Sequence, residues 1–101
     1  MITKEEFTNQ AGAVYDACYK ILNAKNADYA TAEDPLKNFR LCQILANITV
    51  EKGIFVRLSD KISRIGVLLD KAPTVEDEKM SDTINDAINY LVILQIALKD
   101  K

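Results

Sequence analysis

The sequence predicts an all-α fold, a four-helix bundle formed by a single domain over residues 1–101. Three observations support this prediction. Apolar residues recur at three- and four-residue spacing, capping residues precede these periodic stretches, and the strict alternation of β-strands is absent. The chain is also 49% hydrophobic and 28% charged, which is a composition that can bury a core.

The first helix is predicted to begin after Thr3 and to end near Asn23. The Thr3 hydroxyl can cap the helix, and Glu6, three residues later, completes a capping box. One side of this helix is apolar and consists of Phe7, Ala11, Val14, Cys18 and Ile21. Residues 24–34 lack such periodicity, so we expect them to form a loop.

The second and third helices are predicted from their first residues. Asp34 is a good cap and Pro35 fits the first turn, so a short helix should run from there to about Ala46. Thr49 is the predicted cap of the third helix, which should end near Lys71. The apolar side of the third helix consists of Ile54, Leu58, Ile62, Ile65 and Leu69.

The fourth helix is predicted from its cap, Thr74, to about Lys99. Acidic residues follow the cap, where negative charge offsets the exposed backbone amides. At about 100° per residue, the helix separates an apolar and a polar side. The apolar side consists of Met80, Ile84, Ala87, Ile88 and Leu91, and the polar side of Glu78, Asp82, Asp86 and Asn89.

Composition and charge exclude several classes of function. The chain has no histidine and only two isolated cysteines, which excludes zinc fingers, Cys/His nucleophile pairs and Ser-His-Asp triads. A formal net charge of −2 argues against general nucleic-acid binding. The sequence shows no signal peptide, and its longest apolar run is too short to cross a bilayer. We therefore expect a cytoplasmic protein with no membrane partner.

Two charged stripes on the last two helices predict a phosphate site between them. The acidic stripe consists of Glu78, Asp82 and Asp86, and the basic stripe of Arg57, Lys61 and Arg64, with Asp60 among them. Carboxylates one turn apart repel one another, and a divalent cation or facing bases relieve that repulsion. Arginine and lysine bind phosphate oxygens. The alternative is that both stripes are solvated faces joined by weak surface ion pairs.

Polar and aromatic residues around the predicted loop indicate contacts with a base and a sugar. These residues are Lys25, Asp28, Tyr29, Asn38 and Phe39. Aromatic rings can stack on a base, and an amide can hydrogen-bond to its edge. The alternative is that these side chains anchor the loop and fill the core.

Four motifs follow one another over residues 25–90: Lys25-x-x-Asp28-Tyr29, Asn38-Phe39, Arg57-Leu58-x-Asp60-Lys61-x-x-Arg64 and Glu78-x-x-x-Asp82-Thr83-x-x-Asp86-x-x-Asn89-Tyr90. With these motifs the chain resembles a family found largely in phages, nucleotide modification associated domain 1. That family looks like a relative of the MazG-type all-α nucleotide pyrophosphohydrolases.

The resemblance implies a MazG-like hydrolase that cleaves nucleoside triphosphates to a monophosphate and pyrophosphate with Mg²⁺. Asp82 and Asp86 would be catalytic and would bind the metal together with Asp60 and Glu78. The remaining nucleotide contacts would come from Lys25, Asp28, Tyr29, Asn38, Arg57, Lys61, Arg64 and Asn89. The chain departs from the superfamily where two glutamates three residues apart are typical, because its third helix is mainly basic there.

Two alternatives to hydrolysis stay open from the sequence. The chain could be a non-catalytic binder, or sponge, of a nucleotide, including a host defence-signalling nucleotide in the host cytoplasm. It could instead be a helical oligomer that blocks a host protein. The basic stripe favours binding, whereas the acidic stripe favours a metal.

The apolar run near the end of the chain predicts self-association. Residues 91–98 are apolar around the whole helix apart from Gln95. A four-helix monomer of this size covers only one side of a terminal helix, so a second copy is expected to cover the rest. We therefore expect a homodimer or a higher homo-oligomer.

Overall fold

The structure, a computed structural model, describes residues 1–29, 34–71 and 77–100, without the side chains of residues 27–29, 77 and 78. Its helices are α1 (Lys4–Tyr29), α2 (Lys37–Ala46), α3 (Val50–Asp70) and α4 (Asp77–Lys99). Every regular element in these ranges is a helix, which confirms the all-α prediction. In the same ranges, no helix combines the length and the apolar character needed to span a bilayer.

Side-chain caps begin two of the helices as predicted. The Thr3 hydroxyl accepts the amide of Glu6 at 3.1 Å, and the Glu6 carboxylate accepts the amide of Thr3 at 3.4 Å. The Thr49 hydroxyl accepts the amide of Lys52 at 3.1 Å and starts α3. The predicted cap of the fourth helix, Thr74, lies outside the described residues.

α1 is longer than predicted, because residues 24–29 continue the helix and do not form a loop. Within this stretch, Lys25 and Asn26 line a cavity beside α4, so an apolar period is not needed there. Ala24, Lys25 and Ala27 are also good helix formers, so the segment does not need an apolar face to stay helical.

α2 begins later than Asp34 and Pro35 predicted, at Lys37. The Asp34 carboxylate accepts the amide of Leu36 at 3.1 Å, and its carbonyl accepts the amide of Lys37 at 3.2 Å. Residues 34–36 therefore form a turn that leads into the helix. At the other end, Asn47 adopts the left-handed conformation (φ 54°) that commonly terminates a helix.

The largest helix interface joins α3 to α4, and α2 and α1 lie against this pair. The buried core is at one end, where Leu36, Val50, Ile54 and Ala97 meet. Ile54 is fully buried, whereas Ile62 and Leu69 on the predicted apolar side of α3 are 56% and 63% exposed. Within the described ranges, burial on that side of α3 is therefore greatest in its first half, and Ile65 in the second half is partly buried.

α4 turns part of its predicted polar side inward. Asn89 of the predicted polar side is buried, as is Thr83, whereas Ile84 and Leu91 of the predicted apolar side are exposed. The reason is that α1 and α3 both contact α4, and α1 approaches it across the polar side.

The chain is elongated, with extents of 48 × 28 × 22 Å and a radius of gyration of 15.6 Å. A compact domain of 100 residues has a radius of gyration of about 13 Å. Residues 1–10, which include the start of α1, are all exposed. On its predicted apolar side, Phe7 is 64% and Val14 is 42% exposed.

Two glycines of α3 give a matched test of the α2–α3 contact. A Cβ atom at Gly53 would lie 3.0 Å from the Cβ and 3.1 Å from the Sγ of Cys42, whereas one at Gly66 would meet nothing. Gly66→Ala should gain about 0.5–1 kcal/mol in free energy of unfolding, because alanine is the better helix former. Gly53→Ala should be about 1–3 kcal/mol less stable than Gly66→Ala, because the Cys42 contact is overpacked. Urea unfolding of both variants measures this, and an equal gain in both would contradict the close packing.

Candidate functional site

A cavity of about 570 Å³ lies between α1, residues 34–40 and α4. Cavities of roughly 300–1,000 Å³ are typical of small-molecule sites. The sequence analysis expected a ligand between α3 and α4, but these two helices pack directly on each other. The cavity lies where α1 faces α4, and its wall includes Lys25, Asp86 and Asn89 from the predicted site.

The middle of the cavity is apolar and aromatic. Leu22 of α1, Leu36 and Ile93 line it together with Phe39 and Tyr90. The two rings meet edge to face, with their centroids 6.4 Å apart and their planes at 85°. Both aromatic residues pack against the buried core, so their positions are fixed from behind.

At one end of the cavity lies an ion cluster that joins three helices, which we call the lysine cluster: Lys25, Lys61 and Asp86. Lys25 and Asp86 line the cavity, whereas Lys61 contacts Asp86 from outside the lining. Lys25 Nζ of α1 lies 2.9 Å from Asp86 Oδ1, and Lys61 Nζ of α3 lies 3.1 Å from Asp86 Oδ2. The Asp86 and Lys61 side chains are 19% and 21% exposed, so they are well shielded from water. The cluster therefore ties α1 and α3 to the same carboxylate of α4.

The pKa of Asp86 reflects this environment. Burial raises the pKa of the carboxyl, but hydrogen bonds and attraction from Lys25 and Lys61 outweigh burial and hold the pKa below its usual value. Asp86 therefore stays charged in the folded chain at neutral pH.

The other end of the cavity is formed by a second ion cluster, which we call the arginine cluster: Asp34, Arg40 and Asp100. Arg40 Nε lies 2.8 Å from Asp34 Oδ2, and Arg40 Nη2 lies 2.9 Å from Asp100 Oδ2. Hydrogen bonds to Asp34 and then to Asp100 raise the pKa of the Arg40 guanidinium. This cluster joins the start of α2 to the end of α4.

Asn89 fixes α1 against α4 between the two ends. Its Nδ2 donates to the Cys18 carbonyl at 3.0 Å, and both residues are buried. The Cys18 thiol points back at the Asn85 side-chain oxygen, 3.5 Å away. Burial, and then the charge of Asp86, raise the pKa of the Cys18 thiol, so it stays protonated.

The other predicted site residues do not join this cavity. Those that the structure leaves exposed outside it are Asn38 on α2, Arg57, Asp60 and Arg64 on α3, and Asp82 on α4. The side chains of Asp28, Tyr29 and Glu78 lie outside the described residues. Of the two predicted stripes, therefore, only Lys61 and Asp86 meet in the described structure.

The described donor set does not fit a magnesium ion. Both oxygens of Asp86 are occupied by lysines, and within the described ranges no three acidic or cysteine side chains come together as metal ligands. Magnesium prefers several oxygen ligands in a near-octahedral arrangement. The surroundings of Asp86 are instead those of a structural ion cluster.

Several residues that line the cavity carry no clear functional signal in the sequence. Asp34 appeared only as a helix cap, and Arg40 and Asp100 belong to no motif. Asn23 and Asn26 line the cavity from the segment that was predicted to be a loop. Once residues 24–29 are placed on a helix, Leu22, Asn23 and Asn26 fall on one side by their spacing, which is the signal that could have found them.

Comparison with known proteins identifies no relative. No family model matches the chain, and the searches of curated proteins and of solved structures find no similar protein.

The lysine cluster predicts a pH-dependent contribution to stability. Asp86→Asn removes the negative charge with which Lys25 and Lys61 form ion pairs. The substitution should lower the free energy of unfolding by about 1–2 kcal/mol at neutral pH. Because the folded pKa is lowered, this contribution is complete above about pH 4 and is lost as the pH falls through the folded pKa. The measurement is denaturant unfolding of both chains from about pH 7 to about pH 3.

The matched control is Asp60→Asn, which removes an exposed carboxylate from α3. It should change the free energy of unfolding by less than about 0.5 kcal/mol. If Asp86→Asn and Asp60→Asn had the same small effect, the lysine cluster would contribute nothing to stability.

Proposed function

We propose that this chain binds a nucleotide in the cavity between α1, residues 34–40 and α4, and that it does so without hydrolysing it. The observation that carries the proposal is the combination within one cavity of an aromatic middle and an end that presents the ammonium group of Lys25. A nucleotide has the matching parts, a planar base and an anionic phosphate. The proposal agrees with the resemblance to the nucleotide modification associated domain 1 family and with action in the cytoplasm.

The aromatic middle supports binding of the base. Tyr90 and Phe39 offer ring surface, and stacking of a base on an aromatic ring contributes about 1–3 kcal/mol. Asn23 and Asn26 add amide groups to the same wall, and amides can both donate to and accept from a base edge. This mixture of apolar surface with a few polar groups is typical of small-molecule sites.

The state of Asp86 supports binding over hydrolysis. In the hydrolase hypothesis Asp86 is a metal ligand, but in this structure the Asp86 carboxylate forms ion pairs with two lysines. A metal ligand would have to give up both ion pairs. A nucleotide phosphate, in contrast, can share Lys25 with Asp86, because an ammonium group has three donors.

We also propose that the protein is a homo-oligomer, in which a second copy covers the exposed apolar side of α1. Phe7, Val14 and Tyr15 are 64%, 42% and 69% exposed in the single chain. The last helix was predicted to be covered on one side only by the single chain. In agreement with this, Leu91 and Leu98 are about half exposed, whereas Ala97 is buried. Exposed apolar groups of this extent are typical of interaction surfaces.

Binding in the cavity predicts that Tyr90→Leu weakens nucleotide affinity. Leucine keeps the packing against the core but loses the aromatic face, so the affinity should fall about five- to tenfold. Calorimetry with ribonucleoside mono-, di- and triphosphates measures it. The matched control is Tyr19→Leu, because Tyr19 is 62% exposed on α1 and does not line the cavity.

The wild-type chain should leave a nucleoside triphosphate intact during long incubation with Mg²⁺. Chromatography of the products and a pyrophosphate assay test this. Release of pyrophosphate, abolished by Asp82→Asn or Asp86→Asn, would overturn the proposal in favour of the hydrolase. If no nucleotide of the panel bound, the remaining hypothesis would be that the chain is a helical oligomer that blocks a protein partner.

Self-association predicts a mass of at least twice 11.3 kDa by light scattering at micromolar concentration. Phe7→Glu places a charge in the proposed interface and should lower the mass to that of one chain while the helix content is kept, because Phe7 is exposed in the single chain. Asn9→Glu is the control, because residue 9 lies about 200° around the helix from residue 7. A single-chain mass for the wild type would contradict the proposal.

A further inference from the structure

α3 carries an exposed apolar row beside its contact with α4. The large side chains of this row recur every seven residues, at Phe55, Ile62 and Leu69, and each of them is more than half exposed. Seven residues make about two helical turns, so the three side chains follow one line along the helix. The smaller residues Ser59 and Gly66 lie beside this line and are exposed as well. We call these five residues the α3 strip.

The charged residues in the middle of α3 lie away from the strip. At about 100° per residue, they are at least about 100° around the helix from Ile62. These residues are Arg57, Asp60, Lys61 and Arg64. The strip is therefore free of charge along its length.

Two exposed residues of opposite charge lie at the ends of the strip. Lys52 is in the first turn of α3 and Asp70 is its last residue, eighteen positions later. Eighteen residues are about five full turns, so both side chains lie at the same edge of the strip. Within the described residues neither of them forms an ion pair, whereas the neighbouring Glu51 and Lys71 each have a polar interaction in the chain.

We propose that the α3 strip is a second self-association surface, on which two copies of the chain pair antiparallel about a two-fold axis near Ile62. This surface is distinct from the proposed α1 interface, and it does not depend on nucleotide binding. A two-fold axis brings residues at the same edge of both helices together. Lys52 of one copy therefore lies beside Asp70 of the second copy, and symmetry repeats this ion pair at the other end.

The pattern of the strip complements itself in this arrangement. Phe55 lies seven positions before Ile62 and Leu69 lies seven positions after it, so Phe55 of one copy meets Leu69 of the second. Ser59 and Gly66 leave room between the large side chains, which allows the two helices to approach closely. A parallel pair would instead place lysine beside lysine and aspartate beside aspartate, and like charges across an interface are repulsive.

The size of the strip sets the strength of the pairing. One side of a helix, about 27 Å long and about 10 Å wide, is smaller than the roughly 800 Å² per partner that is typical of stable interfaces. We therefore expect pairing through α3 at about a hundredfold higher concentration than the micromolar association through α1.

Sedimentation equilibrium on the full chain with Phe7→Glu tests the strip, because this substitution removes the α1 interface. The mass should rise from that of one chain at micromolar concentration to that of two chains near millimolar concentration. Adding Lys52→Asp should raise the concentration needed at least about tenfold, because an acid then faces an acid at both ends of the dimer. Adding Asp70→Lys to this variant should restore the pairing, because the two charges are then exchanged.

These substitutions separate association from folding. An acid in the first turn and a base in the last turn both suit the helix dipole, so neither change weakens α3 itself. The matched control is Arg64→Asp, which alters the net charge by the same amount but lies about 200° around the helix from Ile62. It should leave the association unchanged.

A cross-link tests the position of the two-fold axis. In a chain with Cys42→Ser, Ile62→Cys should give a covalent dimer with a short bismaleimide, whereas Arg64→Cys should give none.

Three results would overturn the inference. They are a Phe7→Glu chain that stays single at every concentration, equal effects of Lys52→Asp and Arg64→Asp, and no cross-link at residue 62. The α1 interface would stand in each case if the wild-type chain is oligomeric at micromolar concentration. A wild-type chain that stays single up to millimolar concentration would overturn both interfaces.

Discussion

Polar contacts from neighbouring turns of α4 hold α1 in place, and the cavity depends on them. Asn89 bonds to the backbone carbonyl of Cys18, and Asp86 bonds to Lys25 about two turns further along α1. Apolar packing contributes less to this contact, since much of the apolar side of α1 is exposed. Hydrogen bonds fix direction and distance more tightly than apolar contacts do. α1 therefore stands away from α2 and forms one wall of an open space.

This arrangement also explains why a single chain covers so little of its apolar surface. The polar residues of α4 that hold α1 occupy a side that could otherwise have been core. Apolar residues such as Ile84 and Leu91 then face outward. The remaining core, centred on Ile54, joins α2, α3 and the end of α4. The cavity and the exposed apolar surface thus follow from the same choice of which side of α4 faces inward.

The helices could be predicted from sequence because their signals are local. Capping by Thr3 and Thr49 and the ends of α3 and α4 depend on residues within a few positions of one another. The end of α1 was missed because residues 24–29 form a helix without an apolar side. Which part of each apolar side is buried also could not be predicted, since it depends on how the helices cross.

The candidate site was predictable only in part, for the same reason. Spacing alone placed Asp86 and Lys61 on facing stripes, and the structure brings them to 3.1 Å. The spacing could not show that Lys25, which is distant in sequence, would approach the same carboxylate of Asp86. The contact between Arg40 and Asp100 joins residues sixty positions apart and follows no periodicity. The structure thus moves the candidate site from the α3–α4 interface to the side of α4 that faces α1.

The burial of Cys18 gives the α1–α4 contact a chemical reporter. Only a thiolate reacts readily with an alkylating reagent. Cys18 is 3% exposed, and the pKa of its thiol is raised. Its modification in the folded chain therefore requires α1 to lift from α4. When that opening is rapid compared with the chemical step, the alkylation rate of Cys18 relative to an unfolded thiol equals the fraction of molecules with α1 detached. A compound that occupies the space between the two helices must slow this reaction, whatever its chemical identity.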